Sequence, residues 1–113
     1  MSLNVVLSIC YTDGDGRTVE LTITEDDSVF YKDGKGGQAE LSVSRRDIND
    51  FLWEIEGFTE NWERSYGHGS FTEPGGWLVI LESDRQLNKY QGCCEFPPDW
   101  EAFLALFNAF ISP

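Results

Sequence analysis

The central stretch of the chain reads SRRDINDFLWEIEG (residues 44–57) and carries the clearest structural signals of the sequence. Ser44 and Asp47 form an S-x-x-D pair, a pattern in which side chains satisfy the unpaired amides of a first helical turn. The apolar residues that follow are spaced i, i+3, i+4 and i+7, which places them on one face of a helix. They are Ile48, Phe51, Leu52 and Ile55. We therefore predict a helix that starts at Ser44 and stops at Gly57, a residue type common at helix C-termini.

The residues before this helix alternate between apolar and polar side chains, as strands with one buried face do. The alternation predicts four strands over residues 3–11, 18–24, 29–32 and 38–43, separated by acidic and glycine-rich turns. Because short connections favour neighbours in space, we expect these strands to form a meander.

The residues after the helix predict two further strands and a second helix. Trp77–Leu81 is a continuous apolar run, and Leu87–Gln91 follows it after a turn. Pro97 and Pro98 introduce a helix whose apolar side chains fall within a narrow arc, which makes it a core element. The order ββββαββα predicts one α+β domain over residues 1–113, with a mainly antiparallel sheet of about six strands and both helices packed on one face.

Composition excludes several classes of function. The 113 residues are 41% hydrophobic, and 8 basic against 20 acidic side chains give a net charge of −12. A protein that binds the phosphate backbone of nucleic acids or an anionic membrane surface needs a basic face. No apolar run is long enough for a membrane span, and no leader pattern is present. We expect a cytoplasmic protein that binds neither nucleic acid nor membrane.

Motifs for cofactors and catalysis are missing from the sequence. Cys10, Cys93 and Cys94 are odd in number and include an adjacent pair, which favours reduced thiols over a disulfide framework. His68 is the only histidine and there is no C-x-x-C spacing, so we predict no metal site. No phosphate-binding, dinucleotide-binding or nucleophile-elbow motif occurs either. We therefore predict a non-enzymatic protein without a cofactor or catalytic residues.

Acidic residues are concentrated in the middle of the chain, where residues 47–63 hold six acids and no base. Asp47, Asp50 and Glu54 are spaced i, i+3 and i+7, so they line one stripe of the first helix. This stripe is either a solvated helix face or a surface that steers a basic partner.

Aromatic residues accompany these acids. Phe58, Trp62 and Tyr66 share a face if residues 58–66 are helical, and they either cap the core or form a partner-binding patch. Trp53 lies about 140° from Ile48 around the helix and is either covered by the 57–76 loop or exposed among acids. The predicted partner-binding surface consists of Asp50, Trp53, Glu54, Glu56, Glu60, Trp62, Glu63 and Tyr66.

The last third of the chain resembles small acidic bacterial proteins of the toxin-immunity kind and related uncharacterised α+β families. The resemblance is carried by the strand Trp77–Leu81, a hairpin return to Gly92 and the helix start Pro97-Pro98-Asp99-Trp100-Glu101-Ala102-Phe103, a P-x-W-x-x-F pattern. It implies a cytoplasmic single-domain protein that works by binding another protein, and it assigns no catalytic residue.

Two functional hypotheses follow. The first is a non-enzymatic acidic protein-binding domain, in its specific form an immunity-like inhibitor of a basic partner protein, with homo-oligomers allowed. A nucleic-acid mimic that blocks a DNA-binding protein is a variant of this hypothesis. The alternative is a small-ligand-binding or enzymatic domain that uses the 57–76 loop, with His68 and either Glu63 or Glu73 as an acid–base pair.

Overall fold

The computed structural model describes residues 5–12, 16–34, 38–67, 73–83 and 86–111. Within these ranges the chain forms seven strands and two helices. The strands are β1 (Val5–Thr12), β2 (Thr18–Thr24), β3 (Val29–Lys32), β4 (Gln38–Leu41), β5 (Ser65–Gly67), β6 (Gly76–Ser83) and β7 (Gln86–Cys93), and the helices are α1 (Arg45–Thr59) and α2 (Trp100–Ile111). The predicted α+β class is confirmed, and the order of elements differs from the predicted one by the additional short strand β5.

All the described strands belong to one sheet, in the order β4-β3-β2-β1-β6-β7-β5. The first four strands form the predicted meander. β1 lies in the middle of the sheet, where Ile9 is opposite Leu21 of β2 on one side and Val79 of β6 on the other. These three side chains consequently share one face of the sheet.

The additional strand β5 contains three residues and pairs in parallel with β7 at the edge of the sheet. Its last residue, Gly67, has a φ of +72°, and a Cβ at this position would collide with the carbonyl oxygen of Cys93. Glycine is therefore required here. Three residues show no periodicity of their own, which is why the sequence predicts only a long loop between Gly57 and Gly76.

Both helices pack on the same face of the sheet. Their buried side chains form one hydrophobic cluster with the inward-facing strand residues, which includes Leu7, Ile9, Leu21, Ile23 and Val79 of the sheet, Ile48 and Ile55 of α1, and Phe103 and Phe107 of α2. The helices also contact each other, since the rings of Phe51 and Phe110 stack with their centroids 4.0 Å apart. Each helix thus has one face against the core and one face towards solvent.

Helix α1 begins as its sequence predicts and ends later. The Ser44 hydroxyl accepts a hydrogen bond from the backbone N–H of Asp47 at 3.1 Å, which confirms the capping residue. The predicted stop at Gly57 is wrong, because the helix continues to Thr59. Thr59 is 2% exposed and the ring of Phe58 packs edge-on against Phe103, so the last turn buries side chains that a stop at Gly57 would leave in solvent. This burial outweighs the roughly 1 kcal/mol that glycine costs inside a helix.

Helix α2 begins at Trp100, after a turn in which the backbone N–H of Trp100 donates to the carbonyl of Pro97. The Trp100 side chain is 9% exposed. Its ring stacks on Phe103 with the centroids 5.1 Å apart and lies 5.0 Å from the ring of Trp77. Trp100 is therefore a core residue.

We expect Trp100→Ala to lower the free energy of unfolding by about 3–5 kcal/mol, because it removes a large buried ring and leaves a cavity. Urea denaturation measures the change. Leu87→Ala is the matched control, since Leu87 is 67% exposed, and it should stay within about 0.5 kcal/mol of the wild type. A Trp100→Ala protein with the wild-type midpoint would contradict the packing of α2 described above.

Candidate functional site

Trp53 is the most exposed large hydrophobic side chain of the described residues, at 76%. It lies on the solvent side of α1, since Ile48 and Ile55 of the same helix point into the core. The other tryptophans are at most 9% exposed. The two alternatives for Trp53 are thus resolved in favour of exposure, and its indole ring is available to a partner.

The acids predicted to lie beside Trp53 are exposed on the same helix and at its C-cap: Asp50, Glu54 and Glu56 on α1, and Glu60 at the cap. The last turn of α1 contains no basic residue. The carbonyl end of the helix adds partial negative charge of its own at this point. Arg45, at the opposite end of α1, pairs with Asp27 at 3.4 Å. The charged residues on either side of Trp53, from Asp47 to Glu63, are all acidic.

A shallow groove of about 500 Å³ runs across this part of the helix. It is lined by Trp53, Glu54, Glu56, Gly57, Phe58 and Glu60. Its floor is Gly57, where an added Cβ would meet no atom within 4 Å. The groove combines two aromatic rings with three carboxylate side chains, a setting that attracts a cation through the ring faces and through charge.

Trp62 does not belong to this surface. Its side chain is 8% exposed and its ring lies 5.1 Å from Phe103 and 5.5 Å from Trp77, measured between centroids. The indole N–H of Trp62 donates to Oδ1 of Asp99 at 2.8 Å. Trp62 caps one end of the core. The prediction that it belongs to the partner-binding surface is wrong, because its ring is not accessible to a partner.

Glu63 and Tyr66 lie beyond the helix and do not line the groove. Residues 58–66 are not helical as a unit, since α1 ends at Thr59 and β5 begins at Ser65. The hydroxyl of Tyr66 accepts a hydrogen bond from the backbone N–H of Glu63 at 2.9 Å, and its half-buried ring lies 5.8 Å from that of Trp77. Tyr66 thus packs on the core as Trp62 does, whereas Glu63 is exposed.

Of the 57–76 loop in the alternative hypothesis, the structure describes residues 57–67 and 73–76, which include the end of α1, the strand β5 and the first residue of β6. His68 lies outside the described residues, so the predicted acid–base pairing with Glu63 or Glu73 has no geometry here. Oε2 of Glu73 lies 3.7 Å from the thiol sulfur of Cys93.

The three cysteines are not joined in disulfides. The sulfur atoms of Cys93 and Cys94 are 3.5 Å apart. The hydrogen bond with Cys94, together with burial and the nearby charge of Glu73, raises the pKa of Cys93 to about 11. Burial and the charge of Glu20 raise the pKa of Cys10 to about 11 as well. Both thiols are consequently protonated at neutral pH and are weak nucleophiles and metal ligands.

Two residues of this site are not predicted from the sequence. Gly57 and Phe58 line the groove, although the sequence predicts a helix end at the first and a separate aromatic face at the second. The signal for Gly57 is its spacing from Trp53 and Glu60, which is i, i+4 and i+7 along one helix face. In the part of the chain that the structure describes, no three His, Cys, Asp or Glu side chains are grouped so as to hold a metal ion.

Comparison with protein-family models, curated protein sequences and solved structures finds no match to this chain. None of the helices within the described ranges has the length and apolar character needed to cross a membrane.

The raised pKa of Cys10 predicts a loss of stability in alkaline solution. Its pKa is about 11 in the folded protein against an ordinary value of 9.0. The folded state therefore holds a proton that the unfolded chain releases, so the contribution to stability is present below pH 9 and falls as the pH rises towards 11. We expect the decrease of the urea midpoint between pH 8 and pH 10.5 to be smaller in Cys10→Ala than in the wild type.

Ser8→Ala is the control for this experiment, because Ser8 is half-buried on the same face of β1 and does not titrate. It should keep the wild-type pH dependence. An equal decrease in all three proteins would show that Cys10 does not hold its proton more tightly in the folded state.

Proposed function

We propose that this protein is a non-enzymatic, acidic protein-binding domain that engages a basic partner protein through the outward face of α1. In its specific form it is an immunity-like inhibitor of that partner and acts in the cytoplasm. The observation that carries the proposal is the exposed indole of Trp53, 76% accessible, beside a groove lined by three glutamates.

The charge of the protein supports a basic partner over other ligands. The net charge is −12, and the acids of residues 47–63 are concentrated on and just after one helix. Such a field raises the rate of encounter with a positively charged surface and repels nucleic acid and anionic metabolites.

The aromatic ring of Trp53 supplies binding energy that a charged surface alone does not. Exposed charge pairs contribute little to affinity, because water and salt screen them. Tryptophan is among the residues that dominate binding energy at protein interfaces, especially when it is packed at their centre and partly shielded from water. Trp53 lies between Asp50 and Glu54 in the sequence and is flanked in the groove by Glu54 and Glu60, so a partner that covers the indole also meets the carboxylates.

The open shape of the groove supports a protein ligand over a small substrate. Its lining residues all come from residues 53–60 of one helix and its end. Small-molecule sites generally bury most of their ligand in a concave pocket. A groove formed on the surface of one helix instead suits a side chain projecting from a second protein.

We expect Trp53→Ala to weaken binding of the partner by at least about tenfold, which is roughly 1.4 kcal/mol. The unfolding free energy should remain within about 0.5 kcal/mol of the wild type, because the ring is exposed. The partner is first identified by affinity capture from the source cells with the wild-type protein. Its dissociation constant is then measured with the purified proteins at low and high salt, where affinity should fall as salt rises.

Leu87→Ala is the matched control, since it truncates an exposed apolar side chain on β7. It should bind the partner with wild-type affinity. The proposal is contradicted if the captured protein is acidic, or if Trp53→Ala and Leu87→Ala bind it equally well.

A further inference from the structure

We propose that the groove above Gly57, which we call the Gly57 notch, receives an arginine side chain of the partner. The notch consists of Trp53, Glu54, Glu56, Gly57, Phe58 and Glu60. This inference rests on the proposed function and specifies which chemical group of the basic partner α1 recognises.

The notch includes one position on the outward face of the helix that carries no side chain. Trp53, Gly57 and Glu60 follow one another along this face at i, i+4 and i+7. A side chain at position 57 would project into open space, since an added Cβ meets no atom within 4 Å. With glycine there, the helix backbone lines part of a depression of about 500 Å³.

Neither backbone conformation nor packing explains the glycine. Gly57 is in regular helix, and it is not among the glycines that have a positive φ in the described ranges, which are Gly16, Gly34, Gly67 and Gly75. A Cβ at position 57 would meet no atom within 4 Å, so no neighbouring side chain or strand needs the room. Glycine lowers helix stability relative to alanine. The open space above the residue is the one feature that glycine provides at this position.

The chemistry of the lining fits a guanidinium group. Its flat face can stack on the indole of Trp53, while its N–H groups, which point outward in the plane, can donate to the carboxylates of Glu54 and Glu60 on either side. The methylene stem of arginine is apolar and suits contact with the ring of Phe58. A lysine ammonium is a compact, strongly hydrated charge that lacks a face to stack on an indole.

The position of the notch on the helix adds to this preference. Gly57 lies in the last turn of α1, where the backbone carbonyls carry partial negative charge. That turn contains no basic residue of its own. A cation from the partner is therefore the complement of both the side chains and the helix end.

The experiment titrates the full-length protein with two blocked peptides, hexa-arginine and hexa-lysine, which carry equal charge. Binding is followed by the indole N–H resonance of Trp53 in ¹H–¹⁵N NMR spectra, assigned by its loss in Trp53→Ala. We expect wild-type protein to bind the arginine peptide at least about fivefold more tightly than the lysine peptide, because a guanidinium stacks on the indole and donates to the carboxylates in its plane, whereas an ammonium is more strongly hydrated.

Gly57→Ala and Gly57→Leu fill the notch in two steps. We expect Gly57→Leu to lose the preference for arginine and Gly57→Ala to keep most of it, because a methyl group at this position meets no atom within 4 Å. The thermal midpoints of both variants should stay at or above that of the wild type, because both residues favour helix more than glycine does. Glu54→Gln should weaken both peptides. Glu40→Gln is its matched control, because Glu40 is an exposed acid on β4, and it should leave the affinities for both peptides near those of the wild type.

The proposal that the Gly57 notch receives an arginine is overturned by either of two results. One is equal affinity of the wild type for the two peptides, and the other is an undiminished arginine preference in Gly57→Leu. In that case the proposed function is judged separately by the natural partner, since the loss of its binding in Trp53→Ala does not depend on which cation occupies the groove. Retention of partner binding in Trp53→Ala would reject the proposed function itself.

Discussion

The burial of Ile48, Phe51 and Ile55 against the sheet decides how the rest of the molecule is presented. These side chains are at most 2% exposed, and they fix the rotation of α1 about its own axis. The residues on the opposite face of the helix must therefore point towards solvent. Trp53 and Glu60 are carried to the solvent side by the helical repeat alone, which places them far around the helix from the buried row.

A second set of contacts closes the core beyond the end of α1. Trp62 lies at its centre, with Trp77 of β6 and Trp100 of α2 against its ring and with Asp99 accepting its indole N–H. This arrangement anchors the segment that leaves α1 and ties it to the start of α2. A further contact holds the last turn of α1 in place, because Phe58 in that turn packs on Phe103 of α2.

Signals from neighbouring residues predict much of this fold. The features that they do not predict depend on contacts between residues far apart in the sequence. The Ser44 cap, the apolar spacing of α1 and the alternation of β1 to β4 are each determined by neighbouring residues, so the sequence predicts them. The helical angle of Trp53 also indicates an outward position, though not whether another segment covers it. Trp62 is different, since its burial depends on Asp99, far along the chain, and β5 exists only through its pairing with β7. The helical state of Gly57 depends in the same way on the burial of Thr59.

The position of β1 in the middle of the sheet has a consequence for how the chain folds during synthesis. The meander of the first four strands can form as soon as residue 41 has left the ribosome, because its pairings are between successive strands. The other edge of β1 stays unpaired until β6 is available, whose Val79 pairs with Ile9. Until that segment emerges, β1 presents a row of unpaired amides and carbonyls next to its apolar face, which is the kind of edge that recruits strands from other chains.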